Sequence, residues 1–262
     1  MSEPLKDFWN NRPCNSRHSD AEPGSFIYSQ QVSERRYKVE PHIPGFAQFT
    51  RWGNKKVLEI GCGIGSDGKE FALAGAEYTG IDMSEKSLEI ARKRFRSENL
   101  SGIFHNIDAT TLTEHIQDSF DLVYSFGVIH HTAEPERIMK QIAKVMHKGS
   151  ELRMMLYAEN SWKDAMIDCG LEHYEAQEGV PIVRTYSEIS ATTLLKGAGL
   201  RVKEMRRDFI FPYEVESYRR GEHIRHPWFD CMPLEMRDVL ARRFGQHLLI
   251  VGELNNQKET ER

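Results

Sequence analysis

From residue 51 onward the chain alternates short apolar runs with stretches of helical periodicity. Lys56–Ile60 has the form of a short buried strand, and Asp67–Ala74 that of a helix. Glu77–Ile81 is a second strand. Ser84 suits an N-cap, after which Leu88, Ala91 and Phe95 fall on one face of a helix. Ile103–His105 and Phe120–Tyr124 read as the third and fourth strands. Pro135 suits a first helical turn, Ile138, Ile142, Val145 and Met146 carry the 3.6-residue period, and Gly149 is placed to end that helix. Leu152–Tyr157 is the fifth strand. Thr185-x-x-Glu188 has the form of a capping box for a helix through Ala198. Val202–Arg207 and His247–Val251 supply two last strands.

Strand followed by helix, repeated, predicts a doubly wound α/β fold whose mostly parallel sheet is covered on both faces. Such sheets receive ligands beyond the carboxyl ends of their strands, near the topological switch point. Three stretches fall outside the rhythm. Residues 1–50 read as irregular, rich in proline, aromatic and charged residues, and residues 158–184 break the alternation as a lid would. Asp208 to Gly245 is long and aromatic. The expected organisation is a single domain over 1–262, with an N-terminal arm at 1–50, a core at 51–157, and a substrate lid with closing elements at 158–245.

Composition narrows the class. The chain has 262 residues, enough to bury roughly three quarters of its unfolded surface without staples. Lysine plus arginine number 35 against 39 acidic residues, so the net of −4 gives no electrostatic case for nucleic acid or anionic membrane. Cys14, Cys62, Cys169 and Cys231 form no Cys-x-x-Cys pair and no metal-ligand spacing, which suggests a reduced, cytoplasmic protein. The polar first 15 residues lack a signal-peptide core, and no run approaches 18 apolar residues.

The first strand runs directly into Glu59-Ile60-Gly61-Cys62-Gly63-Ile64-Gly65. Glycine lets a backbone turn sharply and approach a ligand with no Cβ in the way. Asp82 ends the next strand, 82 − 61 = 21 residues on, where a carboxylate can accept ribose hydroxyls. Gly63-x-Gly65-x-x-Gly68 also spells a dinucleotide fingerprint, and spacing alone does not separate the two readings.

The larger pattern resembles class I S-adenosylmethionine-dependent methyltransferases of the small-molecule and quinone-type subgroup, over about residues 55–160. Glu59-x-Gly61-x-Gly63-x-Gly65 is similar to their first motif. Asn106-Ile107-Asp108-Ala109 is similar to the adenine-contacting segment. Phe120-Asp121-Leu122-Val123 followed by Gly127-Val128-Ile129-His130-His131 resembles their fourth-strand motif, and Lys148-Gly149 before Leu152 their fifth-strand entry. The resemblance implies a Rossmann-like, seven-stranded sheet closing in an antiparallel hairpin. It also implies S-adenosylmethionine as cofactor, with S-adenosylhomocysteine as product. Glu59, Gly61, Cys62, Gly63, Gly65, Asp82, Met83, Asp108, Ala109, Ser125, Phe126 and Gly127 are then the expected cofactor contacts.

Histidine titrates near neutral pH, and His130 and His131 follow the fourth strand on its ligand side, so they are the candidate catalytic bases. Adjacent residues in an extended loop point opposite ways, so one of the two is expected to face the acceptor. No third ligand accompanies them, and no metal is expected. On the arm, Arg36 is expected to fork onto the cofactor carboxylate, and Tyr28 and Tyr37 to cover the sulfonium. Tyr28, Tyr157 and Tyr186 are the candidate substrate contacts, with Trp162, Arg184, Phe211 and Tyr213 as further lining residues. No Asn-Pro-Pro-Tyr or Asp-Pro-Pro-Tyr follows the fourth strand, and the only Pro-Cys, Pro13-Cys14, precedes the glycine loop, which disfavours a nucleic-acid acceptor. The expected activity is O-methylation of a small molecule or peptide natural product by a monomer or homodimer. N-methylation and a non-catalytic binding subunit are the alternatives.

Overall fold

Val57 and Leu58 are neighbours in sequence but pack into different cores, because successive strand side chains point to opposite faces. Both faces are buried, which is why the strands read as nearly continuous apolar runs. The computed structural model describes residues 3–170, 179–220 and 222–255. Seven strands form one sheet: β1 (Lys56–Ile60), β2 (Glu77–Asp82), β3 (Ile103–Asn106), β4 (Phe120–Phe126), β5 (Met146–Tyr157), β6 (Leu200–Asp208) and β7 (His247–Leu254). Their spatial order is β3-β2-β1-β4-β5-β7-β6. The first five are parallel, and β7 lies antiparallel between β5 and β6. Strand order reverses between β1 and β4, so the switch-point crevice opens at the carboxyl ends of these two strands.

Twelve α-helices accompany the sheet among the described residues: α1 (Glu3–Asn11), α2 (Phe26–Val39), α3 (Ile43–Ala47), α4 (Ser66–Leu73), α5 (Glu85–Ser97), α6 (Leu112–His115), α7 (Pro135–Lys144), α8 (Trp162–Asp168), α9 (Glu188–Gly197), α10 (Val215–Arg219), α11 (Pro227–Asp230) and α12 (Leu234–Phe244). Ile138, Ile142, Leu194 and Leu195 of α7 and α9 join Leu58, Ile60 and Leu156 in one core. Phe71, Leu88 and Phe95 of α4 and α5 join Val57, Tyr124 and Leu249 in the other. No helix among the described residues is long and apolar enough to cross a membrane.

Several boundaries differ from the pattern. The first 50 residues are not irregular but carry three helices, of which α2 is 14 residues long and capped by the Ser25 side chain on the Tyr28 amide. α7 stops at Lys144, since the Val145 carbonyl accepts from Phe120 at the start of β4. Met146 therefore opens β5, and Gly149 lies within that strand at φ +98°, where the β4–β5 register shifts. Ser187 rather than Thr185 caps α9, in a reciprocal box with Ser190. The long aromatic segment holds α10, α11 and α12. Of the expected lid over 158–184, α8 is described, and 171–178 lie outside the described residues.

Candidate functional site

Gly61 has φ +70°, and a Cβ there would collide with the Val128 side chain. Gly63 has φ +54° and open space where a Cβ would point, so its exposed backbone faces the crevice. The turn is tied to β2 by Gly61 and Cys62 amides donating to the Ile81 carbonyl at 2.8 and 3.0 Å. Beside it opens a cavity of about 590 Å³, lined by Gly61, Cys62, Gly63, Asp82, Met83 and Ala109 among others. That is the size of a pocket for a small organic ligand.

Asp82 holds the loop as well as facing the cavity. Its Oδ2 accepts from the Gly63 amide and its Oδ1 from the Ser84 amide, both at 2.8 Å. Each oxygen keeps a further lone pair, so ribose hydroxyls have acceptors left to use. Burial raises the Asp82 pKa despite these bonds. Glu59 also lines the cavity, and its Oε2 accepts from the Tyr78 hydroxyl at 2.6 Å. Burial, then the charge of Asp67, push the Glu59 carboxyl up to about 8.

Asp67, which the sequence pattern marks only as the start of a helix, is not among the expected site residues. It sits in the first turn of α4, nearly inaccessible, and accepts from Arg36 Nε and Nη2 at 2.7 Å each, from Tyr37 and from Tyr124. Arg36 lines the cavity as expected, but its fork is already closed on Asp67 rather than left open for a cofactor carboxylate. Tyr28 does not reach the cavity. It is fully buried with Val32 and Ile64, and its hydroxyl donates to the Ser16 carbonyl.

The two histidines separate. His131 lines the cavity, and its Nδ1 lies 2.9 Å from the Ile182 carbonyl. A carbonyl only accepts, so Nδ1 carries the proton and Nε2 keeps its lone pair. Trp9 of α1 meets this ring edge-on at 5.3 Å. His130 is wholly buried off the cavity, stacked on Tyr157 at 3.8 Å, with neither ring nitrogen hydrogen-bonded. Burial lowers the pKa of both.

Phe126, Gly127 and Tyr157 line the cavity. Asp108 instead caps the following 3-10 turn by accepting from the Thr110 amide, leaving Ile107 and Ala109 on the wall. Gly65 packs toward Ala91 and Phe95, and Ser125 is buried with its Oγ unpaired. Tyr186 and Arg184 border a separate groove on α7 and α9. Phe211 reaches the main cavity, Tyr213 packs edge-on against Phe211 at 5.6 Å, and Trp162 meets Trp228 at 5.4 Å without lining the cavity.

Other lining residues carried no local signal. His247 opens β7 opposite Tyr157, and its Nδ1 lies 2.9 Å from His42 Nε2. Its Nε2 is 3.8 Å from Glu40. These three bring potential metal ligands within 4.8 Å of one another, yet the two imidazoles already share one proton between the facing nitrogens. Arg35 and Lys163 also reach the wall, from α2 and α8.

Residues 53–199 match the family model described as a methyltransferase domain. A ubiquinone biosynthesis O-methyltransferase from Idiomarina loihiensis is 32% identical over 118 residues, covering 44% of this chain and 49% of that protein. The chain thus spans about half the length of the curated relatives it matches. The solved magnesium protoporphyrin IX methyltransferase from Synechocystis PCC 6803 with bound SAH aligns at a TM-score of 0.60 and 15% identity, over 95% of this chain and 97% of that one. A complex of the Haloferax volcanii Trm112 methyltransferase activator and a partner methyltransferase contains a chain that aligns at 0.59 and 20% identity, over 97% and 99%. At these identities the likeness is one of fold.

Proposed function

The chain belongs to the class I S-adenosylmethionine-dependent methyltransferase family, and from that premise we propose that it methylates an oxygen of a small-molecule acceptor. The observation that carries this reading is continuity: the glycine loop, Asp82 and His131 all border one cavity of about 590 Å³. In it, Asp82 would hold the ribose, and Glu59 with the loop backbone the methionine end. Bound S-adenosylmethionine supplies a methyl carbon already activated by its sulfonium.

The protein's part is position, exclusion of water and removal of the acceptor proton. His131 fits the last task. Its protonated Nδ1 is anchored on Ile182, its Nε2 is a free acceptor, and burial keeps the ring neutral at pH 7. An oxygen acceptor is supported by the name of the Idiomarina relative, an O-methyltransferase.

Calorimetric titration with S-adenosylhomocysteine tests the cofactor. Methyl transfer to a panel of phenols and carboxylic acids tests the chemistry. His131→Ala is expected to lower kcat by about 10²–10⁴-fold with cofactor affinity held. His130→Ala should leave a working base in place. Normal turnover by the His131 variant sinks the assignment of the base, and failure to bind the cofactor product sinks the activity.

A further inference from the structure

Glu40 and His42 flank Pro41 in the turn between α2 and α3. His247 opens β7, 205 residues after His42. The fold brings the three together. His42 Nε2 faces His247 Nδ1 at 2.9 Å, and one donor atom from each residue lies within 4.8 Å of the others. Glu40 and His247 line the main cavity. Aromatic packing fixes both rings: His42 stacks on Phe209 at 5.1 Å, while His247 meets Phe209 at 4.7 Å and Phe126 edge-on at 5.5 Å.

Two nitrogens bound about 2.1 Å from one ion, at a right angle, stand about 3.0 Å apart. The observed 2.9 Å therefore suits adjacent positions of an octahedron. Burial keeps both imidazoles neutral at pH 7, as ligands must be. The proton between them can move to the outer nitrogen of its own ring, which frees both facing lone pairs without changing the charge. The surrounding charges favour a cation. Arg36 Nη1 approaches Glu40 Oε2 at 3.4 Å, whereas Oε1 is on the histidine side, 3.8 Å from His247 Nε2. Arg36 is itself forked on Asp67, and Arg206, the other arginine acting on His42, is paired with Asp208. These pairs cancel, so an ionised Glu40 leaves the group one negative charge. Burial raises the Glu40 pKa, and a coordinated cation offsets the cost of that buried charge.

We infer that Glu40, His42 and His247 form a site for a divalent first-row metal ion in the wall of the cavity. Two imidazoles and one carboxylate are a donor set that such ions take, with further positions for other ligands. An ion held there presents a Lewis acid to an oxygen of the bound acceptor. That role rests on the proposed methyl transfer, whereas the site itself does not.

Cobalt(II) is the probe, added to the full chain after treatment with a chelator, because its visible absorption reports nitrogen and oxygen ligation. Calorimetry is expected to give one ion per chain, with the absorption band growing in step. Glu40→Gln and His42→Ala should each weaken binding at least about tenfold. His42→Gln, which keeps a hydrogen-bonding group beside His247, should do the same and serves if the larger truncation fails to fold. His147→Ala removes an exposed histidine beside Asp121 and should bind cobalt as the wild type does. A wild-type chain that binds no cobalt, or folded Glu40 and His42 variants that bind it normally, overturns the inference. So does loss of binding in His147→Ala, which would put the ion on the surface. A chain that binds cobalt as expected but fails to bind S-adenosylhomocysteine overturns the proposed function and supports the metal site.

Discussion

Glu59 belongs to the motif that was legible in the sequence, but its environment was not. Alternation along β1 puts Val57 and Glu59 on one face, and the β1–β2 register sets Tyr78 opposite Val57 on that same face. Tyr78 therefore meets the carboxylate in a buried bond, with Asp67 nearby. The Glu59 pKa is raised from 4.5 to about 8, so the folded state holds a proton that the unfolded state has lost over that range. Its contribution to stability is complete below pH 4.5 and disappears as pH rises through 8. Glu59→Gln should thus gain stability over the wild type as pH rises from 4.5 to 8, by a few kcal/mol at the upper end, read from denaturant midpoints. A difference independent of pH would contradict the buried, protonated state. Cofactor-product affinity should fall in the same variant.

At the scale of elements, Arg94 shows why the arm was misread as irregular. It is fully buried on α5, and its guanidinium donates to Ile64 O, Ser66 Oγ, Ser29 Oγ, Ser29 O and Ser33 Oγ. Ser29 and Ser33 are buried positions of α2, so its inward stripe mixes serine with Tyr28 and Val32. Serine breaks the apolar period of the helix, and it is partners on a distant helix, Arg94 and the C-cap residue Glu98, that explain the burial. The same side chain joins the arm to the glycine loop through Ile64. Arg94→Met should cost about 2–4 kcal/mol by leaving carbonyls and hydroxyls unpaired. It should also weaken S-adenosylhomocysteine binding, although Arg94 does not line the cavity. Unchanged affinity in a folded variant would mean the arm's attachment does not shape the site.

The whole molecule brings arm, sheet and C-terminal insertion around one cavity, with Trp9, Tyr157 and Phe209 reaching it from the three. Product binding should therefore stabilise the fold as a unit. With S-adenosylhomocysteine at about 100 times its Kd, the native state gains about 2.7 kcal/mol. The melting temperature should rise by roughly 5–10 °C in one transition. A scan in which only part of the unfolding signal moves would show that the arm or insertion melts apart from the site.

The sequence by itself determined the alternation of strand and helix, the glycine turn, and the acids Glu59 and Asp82, because each is a local matter of period, spacing and backbone freedom. It also put histidines after the fourth strand. Only the tertiary structure decided that His131 faces the cavity while His130 is stacked on Tyr157, that Arg36 is closed on Asp67, and that His42 meets His247. The same holds for the grouping of Glu40 with that pair. These pairings join residues from distant segments, and a chain's local periodicities carry no record of which distant side chains the folded sheet will set within a few ångströms of each other.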